Sequence, residues 1–121
     1  MANRILIVDD EPNIVISLEY LLKKEGFDVS VATDGDAALR QAAEFRPDLI
    51  LLDVMMPKKS GFEVCDALRA DPAQADLKII MLTAKGRETE VTKGLALGAN
   101  AYITKPFSTK DLVAQIKTLL A

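Results

Sequence analysis

Asp9 and Asp10 follow directly on the apolar run Ile5-Leu6-Ile7-Val8, and Asp53 closes a second run, Leu49-Ile50-Leu51-Leu52. If the two runs are neighbouring parallel strands, three carboxylates meet at one edge of a sheet. Like charges about 4 Å apart repel by roughly 4 kcal/mol per pair at an effective dielectric near 20, so a proton or a cation must sit among them. A hard divalent cation, Mg2+ or Mn2+, is the natural occupant. Thr83 ends the run from Lys78, and Lys105, just before Pro106, ends the run from Ala101. They bring a hydroxyl and an ammonium to the same edge, and that set of groups suits phosphoryl transfer.

The elements that must position these groups are legible from period and punctuation. Short β-rich runs at Arg4 to Asp9, Asp28 to Thr33, Asp48 to Asp53, Lys78 to Thr83 and Ala101 to Thr104 alternate with helical segments. The helices are expected over Pro12 to Glu25, Asp36 to Phe45, Ser60 to Ala70, Glu88 to Leu97 and Ser108 to Leu120. Strict βα alternation implies a parallel sheet with right-handed crossovers and helices on both faces, an open doubly wound α/β fold. Continuous Ile/Leu/Val runs at Ile5 to Val8, Leu49 to Leu52 and Ile79 to Leu82 fit strands buried on both faces, so these three should be central. Asp28-Val29-Ser30-Val31-Ala32-Thr33 alternates polar with apolar and belongs at an edge.

Pro12 suits a first helical turn, and Gly26 ends that helix. Ser60-x-x-Glu63 and Ser108-x-x-Asp111 read as capping boxes, and Pro72 and Gly98 punctuate the ends of the third and fourth helices. The fourth helix has the weakest pattern, with Val91, Leu95 and Leu97 as its only large apolar anchors and Gly94 costing about 1 kcal/mol relative to Ala. It is expected to be the most mobile element.

Composition narrows the chemistry. The 121 residues fit a single domain, 1–121, with one core. No apolar stretch approaches the roughly 20 residues that span a bilayer, and no signal-peptide pattern opens the chain. With the lone cysteine, Cys65, expected in the core on the third helix, a reducing cytoplasm is the expected location. The net charge of −3 is spread without a basic stripe, which argues against direct nucleic-acid binding. Histidine is absent, so imidazole metal sites and His-activated nucleophiles are excluded.

An Asp-Asp pair before a helix is, taken alone, as readily an N-cap as a metal site, and Asp53 alone as readily a turn residue. Their combination with Lys105 favours chemistry. A nucleotide or flavin loop would place glycines and free N–H groups after the first strand, where Asp9-Asp10-Glu11 instead repels phosphate.

In order along the chain stand Ile7-Val8-Asp9-Asp10-Glu11, then Leu52-Asp53-x-Met55-Met56-Pro57 followed by Gly61, then Leu82-Thr83-Ala84, then Tyr102-x-x-Lys105-Pro106-Phe107. On these motifs the whole chain resembles the receiver domains of two-component response regulators, the family that includes the bacterial chemotaxis regulator. The resemblance implies a flavodoxin-like sheet of order 2-1-3-4-5 with five helices. It implies that Asp53 accepts a phosphoryl group as an aspartyl phosphate. Asp10, Asp53 and the Met55 backbone carbonyl would ligate Mg2+, and Asp9 would hold a metal water or contribute a ligand. Lys105 would contact a phosphoryl oxygen, and its peptide bond to Pro106 would be cis. Thr83 would bond the phosphoryl group and move toward it, while Tyr102 would turn inward as an aromatic switch on the face of helix 4, strand 5 and helix 5. Tyr102 reads equally as a half-exposed packing residue. The Met55 side chain, with Lys85, would shield the acyl phosphate from water and slow its loss. Met56 reads as packing, and Lys58 and Lys59 as solvent-facing.

The function implied is a phosphorylation-activated switch that takes its phosphoryl group from a histidine kinase or histidine phosphotransfer protein. It catalyses its own aspartyl phosphorylation and dephosphorylation, yet it is a signalling switch more than an enzyme. It would signal to a downstream protein or to an output domain that this sequence does not encode. A phosphate-independent docking module is the alternative, although such a module would usually have lost one of these residues. A haloacid-dehalogenase-like phosphatase would carry a second acid where Met55 stands, and a flavodoxin-like cofactor protein would be yellow. The segment Gly98-Ala99-Asn100-Ala101-Tyr102 lacks the acidic pair that regulators with winged-helix outputs often carry there for dimer salt bridges.

Overall fold

The computed structural model describes residues 3–56, 58–84 and 88–121. Pro57 and Lys85, named above for their motif positions, lie outside the described residues. The elements run β1 (Arg4–Val8), α1 (Pro12–Lys24), β2 (Asp28–Ala32), α2 (Gly35–Phe45), β3 (Leu49–Asp53), α3 (Gly61–Ala70), a 3-10 turn (Pro72–Gln74), β4 (Lys78–Ala84), α4 (Glu88–Ala96), β5 (Ala101–Lys105) and α5 (Thr109–Leu120). All strands are parallel, in the order β2-β1-β3-β4-β5, so the alternating strand does lie at an edge and the three apolar ones are central.

Successive strand residues face opposite sides of a sheet, so a continuous apolar strand feeds two cores at once. Leu6, Val8, Ile50, Leu52, Ile79 and Met81 pack toward α2 and α3 through Ala38, Ala42, Val64, Cys65 and Leu68. Ile5, Ile7, Leu49, Leu51, Ile80 and Leu82 pack toward α1 and α5 through Leu18, Leu22, Leu112 and Ile116.

Helix starts follow the polar side chains before them. The hydroxyls of Ser60 and Ser108 accept from the N–H groups of Glu63 and Asp111, each at 3.3 Å, and Asp34 accepts from Ala37 N–H at 2.8 Å. Gly26 (φ +93°) and Gly98 (φ +112°) take the left-handed region after α1 and α4. The 3-10 turn that Pro72 opens is absent from the sequence pattern; Asp71 supports it by accepting from Ala73 N–H at 3.0 Å.

The fourth helix corrects the expectation for its anchors. Leu95 is exposed and Val91 only half-buried, Leu97 just past the helix end does pack against the core, and the one buried residue of α4 itself is Gly94. A Cβ at Gly94 would come within 3.1 Å of Met81 Cγ, so the absence of a side chain is what lets α4 approach β4. Lys93 adds a cation–π contact, its Nζ 4.6 Å from the centre of the Phe62 ring.

Behind this helix Arg69 ties three segments together. Its guanidinium donates to the carbonyls of Gly98 (2.8 Å) and Leu77 (2.7 Å) and to Asn100 Oδ1 (2.7 Å), which also accepts from Ile79 N–H at 2.8 Å. Asn100, although exposed, therefore links α3 to the start of β4.

Candidate functional site

Parallel strands deliver their carboxyl ends to one edge of the sheet, where ligands of open α/β folds bind. The register pairs Val8 with Leu52 and Asp53 with Leu82, so Asp9 and Thr83, each one residue further on, flank Asp53. Across β4, Thr83 pairs with Thr104 and Ala84 with Lys105. A small cavity of about 180 Å³ opens here, with Asp10, Asp53, Met55, Thr83, Glu90 and Lys105 in its walls. A larger open depression of about 620 Å³, between Asn3, Asp48, Gln74, Lys78 and Leu119, lies at the opposite ends of the strands and holds no metal-ligating cluster among the described residues.

Asp9 is fully buried. Its Oδ1 accepts from Glu11 N–H at 3.0 Å, and its Oδ2 accepts from Lys105 Nζ at 2.7 Å. The N-cap of α1 is Glu11, which makes no side-chain cap bond, so the acidic pair belongs to the cavity and not to the helix end. Carboxylate oxygens of Asp9, Asp10 and Asp53 all lie within 4.8 Å of one another, with Asp10 exposed to solvent. Among the described residues Lys105 is the cation that reaches them, 3.4 Å from Asp53 Oδ1 and 3.4 Å from Glu11 Oε1.

The electrostatics follow from this arrangement. Burial, and next the Asp9 charge, push the Asp53 carboxyl up to about 6; the Lys105 charge and hydrogen bond and the Met55 backbone oppose the shift without cancelling it. Burial disfavours the Lys105 ammonium, but its hydrogen bond to Asp9 and the charges of Asp53, Asp9 and Glu11 outweigh that and hold its pKa above the usual lysine value.

Gly61 sets how closely α3 can approach Asp53. Its N–H donates to Val54 O at 2.9 Å, and a Cβ there would collide with the Asp53 carbonyl oxygen. The Lys105-Pro106 bond is cis, as the resemblance implies. Met55 is 71% exposed, beside the cavity rather than over the sheet, whereas Met56 packs against the core. Lys58 is exposed and Lys59 half-buried, and they face Asp34 and Asp36 at the start of α2, at 3.9 and 3.7 Å.

Thr83 is buried, and its hydroxyl donates to Glu90 Oε1 on α4 at 3.0 Å. Sequence reasoning misses this partner, because an acid in the first turn of a helix is as well explained by the helix dipole. It also leaves Glu11 without a role. Tyr102 is 43% exposed and lines, with Leu95, Phe107 and Gln115, an open groove of about 600 Å³ between α4, β5 and α5. In this structure its ring is outside the core.

The sequence and the fold have counterparts among known proteins. Residues 5–117 match the family model of the response regulator receiver domain. The alkaline phosphatase synthesis transcriptional regulatory protein PhoP of Bacillus subtilis (strain 168) is 48% identical over 120 residues, covering 99% of this chain and 49% of that protein. The chain thus spans about half the length of that curated relative. Among solved structures, a putative response regulator from Chloroflexus aurantiacus J-10-fl superposes with a TM-score of 0.96 at 36% identity, covering 99% of this chain and 98% of the other. Chemotaxis response regulator CheY4 of Vibrio cholerae superposes at 0.92 and 32% identity, over 98% and 99% of the two chains. With a family model over nearly its whole length and the acidic cluster and lysine at the strand ends, this chain belongs to the response regulator receiver domains of two-component signalling.

Proposed function

We propose that the chain is a phosphorylation-activated switch whose phosphoryl acceptor is Asp53. One observation carries the reading: a buried carboxylate at a strand end, with two further carboxylates within 4.8 Å and an ammonium at 3.4 Å. An Asp53 oxygen attacks the phosphorus of a phosphohistidine; the O–P bond of an acyl phosphate forms as the P–N bond breaks, and the electron pair leaves on the imidazole nitrogen. The donor phosphohistidine belongs to a histidine kinase or histidine phosphotransfer protein and lies outside this receiver domain, whose sequence contains no histidine. Nearly three units of negative charge from the carboxylates would repel the incoming phosphoryl group, and Lys105 offsets only part of it.

All-oxygen donors at this spacing fit Mg2+ (or Mn2+), held by Asp10, Asp53 and the Met55 carbonyl, with Asp9 as a further ligand or through a water. When bound, such an ion neutralises the cluster and orients in-line attack. Lys105 takes a phosphoryl oxygen and Thr83 donates to another, and Tyr102 follows Thr83 as the α4, β5 and α5 face changes. The face signals to a partner protein or an output domain, in the cytoplasm, with no nucleic acid or membrane bound directly by this domain.

Intact-protein mass after incubation with acetyl phosphate tests the reading, with Mg2+ present or chelated. One phosphoryl adduct is expected, requiring both the metal and Asp53 and lost in Asp53→Asn. A folded protein that takes no adduct under any condition points instead to a phosphate-independent docking module.

A further inference from the structure

We propose that Glu90 is a positioning residue that holds the Thr83 hydroxyl on α4 and away from the phosphoryl site, so that phosphorylation must break this bond. The inference rests on the reading of Asp53 as phosphoryl acceptor and assigns a role to a residue that reading does not use. A threonine hydroxyl has one proton to donate. Here its nearer acceptor is Glu90 Oε1 at 3.0 Å, the Ala84 carbonyl lying at 3.5 Å, and Thr83 is 2% exposed, so water cannot readily take the place of Glu90. Glu90 stands in the wall of the same small cavity as Asp53 and Lys105. A phosphoryl oxygen on Asp53 and the Glu90 carboxylate therefore compete for a single donor.

The element that carries Glu90 is suited to register the outcome. Gly94 is the only fully buried residue of α4, Leu95 is exposed, and the Lys93 contact with Phe62 is at the surface of α3. With so little apolar area burying this helix, the polar contacts of its first turn matter to its position, and the Thr83–Glu90 bond is one of them. Release of Thr83 by Glu90 thus links the site to α4 directly, separately from any movement of Tyr102.

The test is a calorimetric titration of the Mg2+-loaded protein with beryllofluoride, a phosphoryl mimic, in the parent, Glu90→Ala, Thr83→Ala and the double variant. Glu90→Ala should bind about tenfold more tightly than the parent, the scale of one hydrogen bond to a charged group. In the Thr83→Ala background the same change should have no effect. Glu88→Ala, which removes the other acid of that turn, should match the parent, excluding a general effect of helix charge. Should Glu90→Ala fail to fold, Glu90→Gln keeps a weaker acceptor and should gain about threefold. Equal affinity in parent and Glu90 variants, or an equal gain with and without Thr83, overturns the proposal while leaving the receiver reading intact. A parent that binds no beryllofluoride and forms no Asp53-dependent adduct removes both.

Discussion

Asp53 must be ionised to act as a nucleophile, yet its surroundings favour the proton: burial first and the Asp9 charge second raise its pKa from 3.8 to about 6. A carboxyl whose folded pKa lies above its unfolded value stabilises the fold fully below the unfolded pKa and loses that contribution as pH rises through the folded one. For Asp53 the window runs from about 4 to about 6. A tenfold change in proton affinity corresponds to about 1.4 kcal/mol, so the chelated protein should gain about 1–3 kcal/mol at pH 7 on Asp53→Asn, with the gain vanishing below pH 4. Urea unfolding at pH 4 and pH 7 measures it; a gap between variant and parent that is the same at both values would refute the assigned cause. Asp53, its acidic neighbours and Lys105 are legible in the sequence because they stand at the ends of apolar runs, and parallel strands bring such ends together. Glu90 is not, since its link to Thr83 depends on how α4 is set against β4, which no local spacing encodes.

Elements approach the site as closely as their smallest residues allow. Gly61 opens α3 against the backbone of Asp53 and Val54, where an added Cβ would meet the Asp53 carbonyl oxygen and lie 3.0 Å from Val54 Cα. Ala is the better helix former by up to about 1 kcal/mol, but the overlap is with backbone that cannot rotate away. Gly61→Ala should accordingly lower stability by about 1–3 kcal/mol. Chemical denaturation gives the answer directly, and a variant more stable than its parent would mean that α3 can retreat. The same reasoning explains where the expectation for α4 fails: sequence periodicity seeks large apolar anchors, and of these only Leu97 packs on the core, whereas the helix itself touches the sheet through Gly94 against Met81. The strands, by contrast, match their sequence pattern to within a residue or two, because continuous burial on both faces leaves a signal that tertiary context cannot easily disguise.

For the molecule as a whole, folding gathers carboxylates that the unfolded chain holds apart. Asp9 finds Lys105 at 2.7 Å, but that ammonium also serves Asp53 and Glu11, each at 3.4 Å, and Asp10 stands exposed with no ion-pair partner among the described residues. Among the described residues, one cation thus offsets a site carrying several negative charges in a chain already at −3 overall. A divalent ion that binds this cluster binds the folded state almost exclusively, since the unfolded chain presents Asp9 and Asp53 far apart in sequence. Mass action then adds about 1.4 kcal/mol of stability at ten times the dissociation constant and about 2.7 kcal/mol at a hundred times. In a domain of this size that raises the melting temperature by several degrees. Thermal unfolding over a Mg2+ series should show this rise in the parent and little of it in Asp10→Ala, where the exposed ligand is gone and the Lys105 pairs remain. A rise of equal size in Asp10→Ala would place the ion elsewhere on the acidic surface, and no rise at all would mean that Lys105 alone satisfies the cluster.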